Sequence, residues 1–174
     1  MVQNGVMWYN VVENCGKEWH AVGAIELSGN YSHNIDPKGR ATIPSAYREA
    51  LADGFTIGLN NDFNAIALYP AEKWAEINRR LERIPDSDAK GMAYVRLIKA
   101  FSFSGQTLDG QGRVLLPQAL RQQAGMDKAV RFVGLGKYLE IWDEDRFMKQ
   151  YLEAQLNAAD LMAYVNDRYF SSGE

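Results

Sequence analysis

The sequence predicts an α+β fold built from two tandem β-α-β repeats. Three observations carry that reading. Residues 34–44, NIDPKGRATIP, recur 73 positions later as TLDGQGRVLLP at 107–117. The same offset aligns Arg48 with Arg121, Leu68 with Ile141, Tyr69 with Trp142 and Trp74 with Phe147. Each copy also runs through the same order of patterns, from alternating strand to turn to short helix to hairpin. A match that long, without a net insertion, marks a duplicated supersecondary unit, and a repeat of this kind dictates architecture.

In the first repeat, over residues 30–77, Tyr31, His33 and Ile35 alternate with polar residues as a half-buried strand does. Asp36-Pro37-Lys38-Gly39-Arg40 turns the chain, with Pro and Gly setting the bend. Ala41–Ile43 reads as a short strand, and Pro44 opens the helix SAYREAL. Asp53-Gly54 stops it. FTIGLN and AIALY flank the turn NDFN as a hairpin. Pro70 then starts an amphipathic helix to about Leu81, with Trp74, Ile77 and Leu81 on one face. A connector helix over 86–100 presents Met92, Val95 and Ile98. The second repeat, 103–146, spells FSFSGQTL, DGQGR, VLL, PQALRQQAG, VRFVGL and YLEIW. A C-terminal helical region, 147–174, closes the chain with a helix at Asn157–Arg168 and a polar tail expected to fray.

Composition excludes several classes. The apolar fraction of 47% suffices for a core, and no apolar run approaches the roughly 18 residues of a membrane span. One cysteine, Cys15, rules out internal disulfides and multi-cysteine zinc sites, and it argues for a reducing cytoplasm. The net charge of −3 offers no basic bulk, so any nucleic-acid contact must come from local patches multiplied by oligomerisation. His33 lies three residues from Asp36, but the second repeat has no histidine, and no Ser-His-Asp set, metal-spaced cluster or phosphate-cradling glycine loop accompanies it. Neither catalytic residues, nor a metal site, nor a cofactor is expected. Trp74, Trp142 and Phe147 sit beside apolar neighbours and read as core. A stacking platform for single strands would interleave aromatic with basic residues, and YLEIW carries an acid instead.

A single Asp-x-x-Gly-Arg turn is commonly only a turn, with Asp accepting loop N–H groups, Gly at positive φ and Arg paired to Asp. Two such turns in one duplicated unit are different. Packed about a pseudo-twofold axis, they would project two arginines from one side. The planar fork of arginine suits phosphate, or guanine O6 and N7.

The two Asp-x-x-Gly-Arg loops, the Pro-x-x-x-Arg after each and the Tyr-Pro-x-x-x-Trp helix start together resemble the MraZ family, over about four-fifths of the chain from near Ser28. The resemblance implies a mixed swapped-hairpin β-barrel of two SpoVT/AbrB-type repeats with peripheral helices. It further implies a nucleoid-associated, double-stranded-DNA-binding transcriptional regulator that forms homo-oligomeric rings, acting on direct repeats in its own promoter and on the division and cell-wall gene cluster. Carried over residue by residue, Arg40, Arg113, Lys38 and Gln111 are the DNA-contact candidates. Gln111 is uncharged, so the second loop should add less salt-dependent affinity than the first. Asp36, Gly39, Asp109 and Gly112 are read as loop braces, and Arg48 and Arg121 as structural. An AbrB-type antitoxin or repressor is the alternative, disfavoured by two repeats and a helical end.

Residues 1–27 stand outside that resemblance as an N-terminal extension, and 1–26 show neither helical nor strand periodicity. Reverse translation offers a reason. Val12-Glu13 permits GTG GAA, Cys15-Gly16 TGT GGN, Glu18-Trp19 GAG TGG and Val22-Gly23 GTG GGN, each containing GTGG. With codon n starting at nucleotide 3n − 2, the copies begin at about 34, 44, 54 and 64, spaced by about one turn of B-DNA. Tyr9-Asn10 permits TATAAT, Gly23-Ala24 permits GGAG, and Leu27 permits the start codon TTG. The resemblance implies G-rich operators just upstream of the gene. The expectation is therefore that residues 1–26 are untranslated promoter without packed structure, and that translation begins at residue 27, read as Met.

Overall fold

The computed structural model describes residues 26–170. The expectation of no packed structure for residues 1–26 lies outside the described residues, apart from exposed Glu26, as does the tail from 171 onward. The elements are β1 (Asn30–Asn34), β2 (Arg40–Thr42), α1 (Ser45–Arg48, continued by a 3-10 turn to Leu51), β3 (Phe55–Leu59), β4 (Ile66–Pro70), α2 (Ala71–Leu81) and α3 (Ala89–Ala100). Then follow β5 (Phe103–Gln106), β6 (Arg113–Leu115), α4 (Gln118–Gln123), β7 (Ala129–Gly134), β8 (Leu139–Asp143), α5 (Glu144–Leu156) and α6 (Ala158–Val165), which ends in a π turn to Phe170.

Local chemistry accounts for the boundaries. Pro44, Pro70 and Pro117 stand one residue ahead of their helices with extended ψ, so each preset φ aims the chain into a first turn. Asp88 caps α3 by accepting from the N–H groups of Lys90 and Gly91, and Asp143 caps α5 by accepting from Arg146. Such caps satisfy helix N–H groups that have no partner within the helix.

Six strands form one sheet in the order β1-β7-β8-β4-β3-β5, and β2 and β6 form a separate two-stranded ribbon. Every pairing is antiparallel, which corrects the expectation of a mixed sheet. The hairpins β3–β4 and β7–β8 have short connections, and short connections impose antiparallel pairing. The sheet is also open, with β1 and β5 as its edges.

The repeats exchange strands. β1 of the first repeat pairs with β7 of the second, and β5 of the second pairs with β3 of the first. The strand order reads the same from either edge once the repeats are interchanged. Ala41 pairs with its own repeat counterpart Val114, and Ala67 pairs with its counterpart Glu140. A pseudo-twofold axis therefore passes through both pairs. The core lies between ribbon, sheet and short helices, and includes Ile43, Tyr47, Ile57, Leu116, Leu120 and Phe132, all essentially inaccessible to solvent.

Of the aromatics read as core, Trp142 is buried, whereas Trp74 and Phe147 are half-buried at the sheet–helix boundary. Trp142 donates its indole N–H to Glu140 over 2.8 Å. Burial pushes that carboxyl upward from its usual range. His33 is half-buried and sets its ring edge-on to Phe132, with centroids 5.5 Å apart.

Candidate nucleic-acid interface

Both Asp-x-x-Gly-Arg loops build the same small structure from short-range bonds. In the first, Gly39 N–H donates to Asp36 C=O (2.9 Å) and Asp36 N–H to Arg40 C=O (2.8 Å). Asp36 Oδ1 accepts from the backbone N–H groups of Lys38 and Arg40, each at 2.9 Å. Its Oδ2 accepts from Arg40 Nε at 2.8 Å and Nη2 at 2.7 Å. In the second, Asp109 Oδ1 accepts from Gln111 N–H (2.9 Å) and Arg113 N–H (3.0 Å), and Oδ2 from Arg113 Nε and Nη2, both 2.8 Å. Each glycine is buried and holds a positive φ, +81° at Gly39 and +71° at Gly112. Only glycine adopts that region without strain.

The loops also hold each other. Ile43 N–H donates to Gly112 C=O, and Leu116 N–H to Gly39 C=O, both at 2.9 Å. Arg48 donates from Nε to Ile43 C=O at 2.8 Å, and its guanidinium lies so close over Gly112 that a Cβ there would sit 2.5 Å from Cζ. Arg121 repeats the arrangement over Gly39, donating to Leu116 C=O at 3.1 Å. These two arginines clamp the loop of the opposite repeat. The sequence singled them out as structural but did not show that they cross between repeats.

Successive side chains of a strand point to opposite faces. Ala41 and Val114 are buried, so the other face of the ribbon carries Arg40, Thr42, Arg113 and Leu115. Arg40 pairs with Leu115 and Thr42 with Arg113, which makes the two arginines diagonal neighbours. In antiparallel strands that diagonal spans about 7–8 Å between backbones. Arg40 and Arg113 thus project from one surface, with exposed Lys38 and Gln111 on the loops at either end of the ribbon. Leu115, 56% exposed, is a large apolar side chain on this face that sequence reasoning missed. Its strand pattern resembles that of any half-buried leucine.

Hydrogen bonding to Arg113 holds the Asp109 carboxyl down at about 2, and Asp36 is lowered by its bonds to Arg40. A depressed carboxylate stabilises its loop above its unfolded pKa and loses that contribution as pH falls through the folded value. The brace on the second loop is therefore complete above about pH 4 and disappears only toward pH 2. Carboxyl-carbon NMR should show Asp109 titrating near 2. A midpoint near 4 would mean that the brace is absent in solution.

Both loops fall inside the segments, residues 27–96 and 104–168, that match the family described as MraZ protein, putative antitoxin-like. The chain belongs to the MraZ family. Its relatives include the transcriptional regulator MraZ of Desulforamulus reducens, 37% identical over 80% of this chain and 96% of that protein. The regulator of the same name from Moorella thermoacetica is 43% identical over 68% of this chain and 82% of its own. That of Syntrophomonas wolfei is 39% identical over 80% and 96%. Within the family match, the short stretch left between the two segments covers the end of α3 and the start of β5, at the junction of the repeats. Among the described residues, no helix is long and apolar enough to cross a membrane, and no group of three or more His, Cys, Asp or Glu side chains could hold a metal ion.

Proposed function

We propose that this chain is a cytoplasmic, nucleoid-associated transcriptional regulator that reads double-stranded DNA with the outer face of the β2–β6 ribbon. The observation that carries this is the placement of Arg40 and Arg113 as diagonal neighbours about the pseudo-twofold axis. A duplex has local dyads of its own, so two symmetry-related arginines meet equivalent groups on the two strands. The Asp36 and Asp109 braces engage Nε and Nη2 of each arginine and fix the direction of the fork before DNA arrives. Preorganisation of that kind lowers the ordering cost of binding. The names of the relatives support the regulatory role. In this reading the exchanged strands are the swapped-hairpin arrangement of SpoVT/AbrB repeats.

With a net charge of −3, one module is a weak binder. A homo-oligomeric ring engaging several direct repeats gains affinity through effective concentration. The proposed targets are direct repeats in the chain's own promoter and sites in the division and cell-wall cluster. Translation starting at Leu27, with GTGG operators lying before it, belongs to the same proposal. Footprinting on the gene's upstream DNA tests the targets, and equal affinity for scrambled DNA of the same length would overturn the claim of specificity. Intact-mass measurement of the native protein tests the start.

Lys38 is exposed at the tip of the first loop, and its backbone N–H is already used by Asp36. The side chain is free to meet a phosphate as a point charge. Lys38→Ala should weaken binding to all sequences alike and flatten the salt dependence by about one unit. A change in sequence preference would instead make Lys38 a reader of bases.

A further inference from the structure

The arginine pair leaves one prominent side chain of the β2–β6 ribbon without a role. Leu115 is 56% exposed on the outer face, directly opposite Arg40 in the strand register. A single exposed leucine is ordinary on a protein surface. This one stands on the face that carries both loop arginines, and the fold does not require a large apolar group there. The repeat offset makes Thr42 its counterpart, at the equivalent ribbon position opposite Arg113. Thr42 is polar and half-buried, so the same site in the other repeat is built without a leucine.

That difference gives the face two unlike ends. Lys38, Arg40 and Leu115 mark one, and Gln111, Arg113 and Thr42 mark the other. A two-stranded ribbon fits the major groove of a duplex, where guanine offers O6 and N7 and thymine offers its C5-methyl group. Leucine has no hydrogen-bonding atom, so the methyl is the base-edge group that matches it. Paired strands lie about 4.8 Å apart and successive base pairs about 3.4 Å apart, so Arg40 and Leu115 reach neighbouring base pairs. We propose that Leu115 packs on the methyl of a thymine beside the guanine read by Arg40, and is a specificity-determining residue of this face. The inference deepens, and rests on, the reading of the ribbon as the DNA surface. It also supplies direction. A symmetric face cannot distinguish the two orientations of a duplex, whereas direct repeats must all be read the same way round. Leucine at one end breaks the symmetry, because the threonine hydroxyl at the other pairs with donor and acceptor edges alike.

Deoxyuridine differs from thymidine only in lacking the methyl group, and so provides the test. Operator duplexes defined by footprinting are made with one thymine position of each repeat replaced by deoxyuridine, taking the positions in turn. Gel shifts then compare the wild type with Leu115→Ala, whose fold is checked by a thermal melt. At one thymine position next to a guanine, the wild type should lose about fourfold in affinity per repeat, the value of one methyl group taken out of contact. Leu115→Ala should bind the thymine duplex more weakly by at least that factor, and should be indifferent to uracil at that position. A wild type that binds scrambled duplex equally well would overturn the DNA reading and this inference with it. Specific binding with no uracil penalty at any position, or a Leu115→Ala variant that keeps the wild-type penalty, would overturn this inference alone.

Discussion

Replacing Arg40 and Arg113 together with alanine is expected to reduce operator binding by at least about 30-fold. An arginine that pairs bidentately with a base contributes roughly 1–3 kcal/mol, and two of them roughly 2–6 kcal/mol. Every 1.4 kcal/mol is about tenfold in affinity. If the chain assembles as proposed and engages several repeats at once, the loss is multiplied, because each module would be weakened alike. The substitution also leaves Asp36 and Asp109 without the cations that neutralise them, close to where phosphates would lie. The fold should survive, since the ribbon is held by the buried pair Ala41 and Val114 and by the backbone bonds of Ile43 and Leu116. A gel shift together with a thermal melt checks both halves. Lysine at the two positions should not rescue binding, as it lacks the fork. Wild-type affinity in the double variant would show that the ribbon is not the DNA surface.

The second large effect is on stability. Phe132→Ala should cost about 3–5 kcal/mol, the usual range for truncating a fully buried phenylalanine. Phe132 is central to β7, which lies between β1 and β8, and it supports the His33 ring on the exchanged strand. The total stability of a domain is about 5–15 kcal/mol, so a loss of this size is a large part of it. Chemical denaturation should show a lower midpoint with little change in slope. A variant as stable as the wild type would mean that the core around β7 refills the space. The contrast with the arginine pair is informative. One substitution removes function and keeps the fold, and the other weakens the fold and takes function with it, because β1 leads directly into the first loop.

Much of the candidate site was legible because its chemistry is local. Each bond internal to the Asp36–Arg40 and Asp109–Arg113 loops joins residues no more than four positions apart, and Asp, Gly and Arg at those spacings admit few other conformations. Helix starts at Pro44, Pro70 and Pro117 were legible for the same reason. The short hairpins β3–β4 and β7–β8 were readable from alternation and turn residues. Cross-loop packing was not. The contact of Arg48 with Gly112, and of Arg121 with Gly39, joins residues more than sixty positions apart, and no periodicity records it. The exposure of Leu115 depends on which face of the ribbon meets the core, and a three-residue strand is too short to show a face.

By itself, then, the sequence determined the duplication, the loop chemistry and the membership of both arginines in one repeated unit, since all of these are properties of short stretches or of the offset between them. Tertiary structure alone decided which strand edges meet. An isolated β1 could pair equally well with a strand of either repeat, because the backbone donors and acceptors along a strand are the same whatever its side chains. Only assembly of the whole core selects β7, passes the symmetry axis between Ala41 and Val114, and sets Arg40 beside Arg113 on one surface.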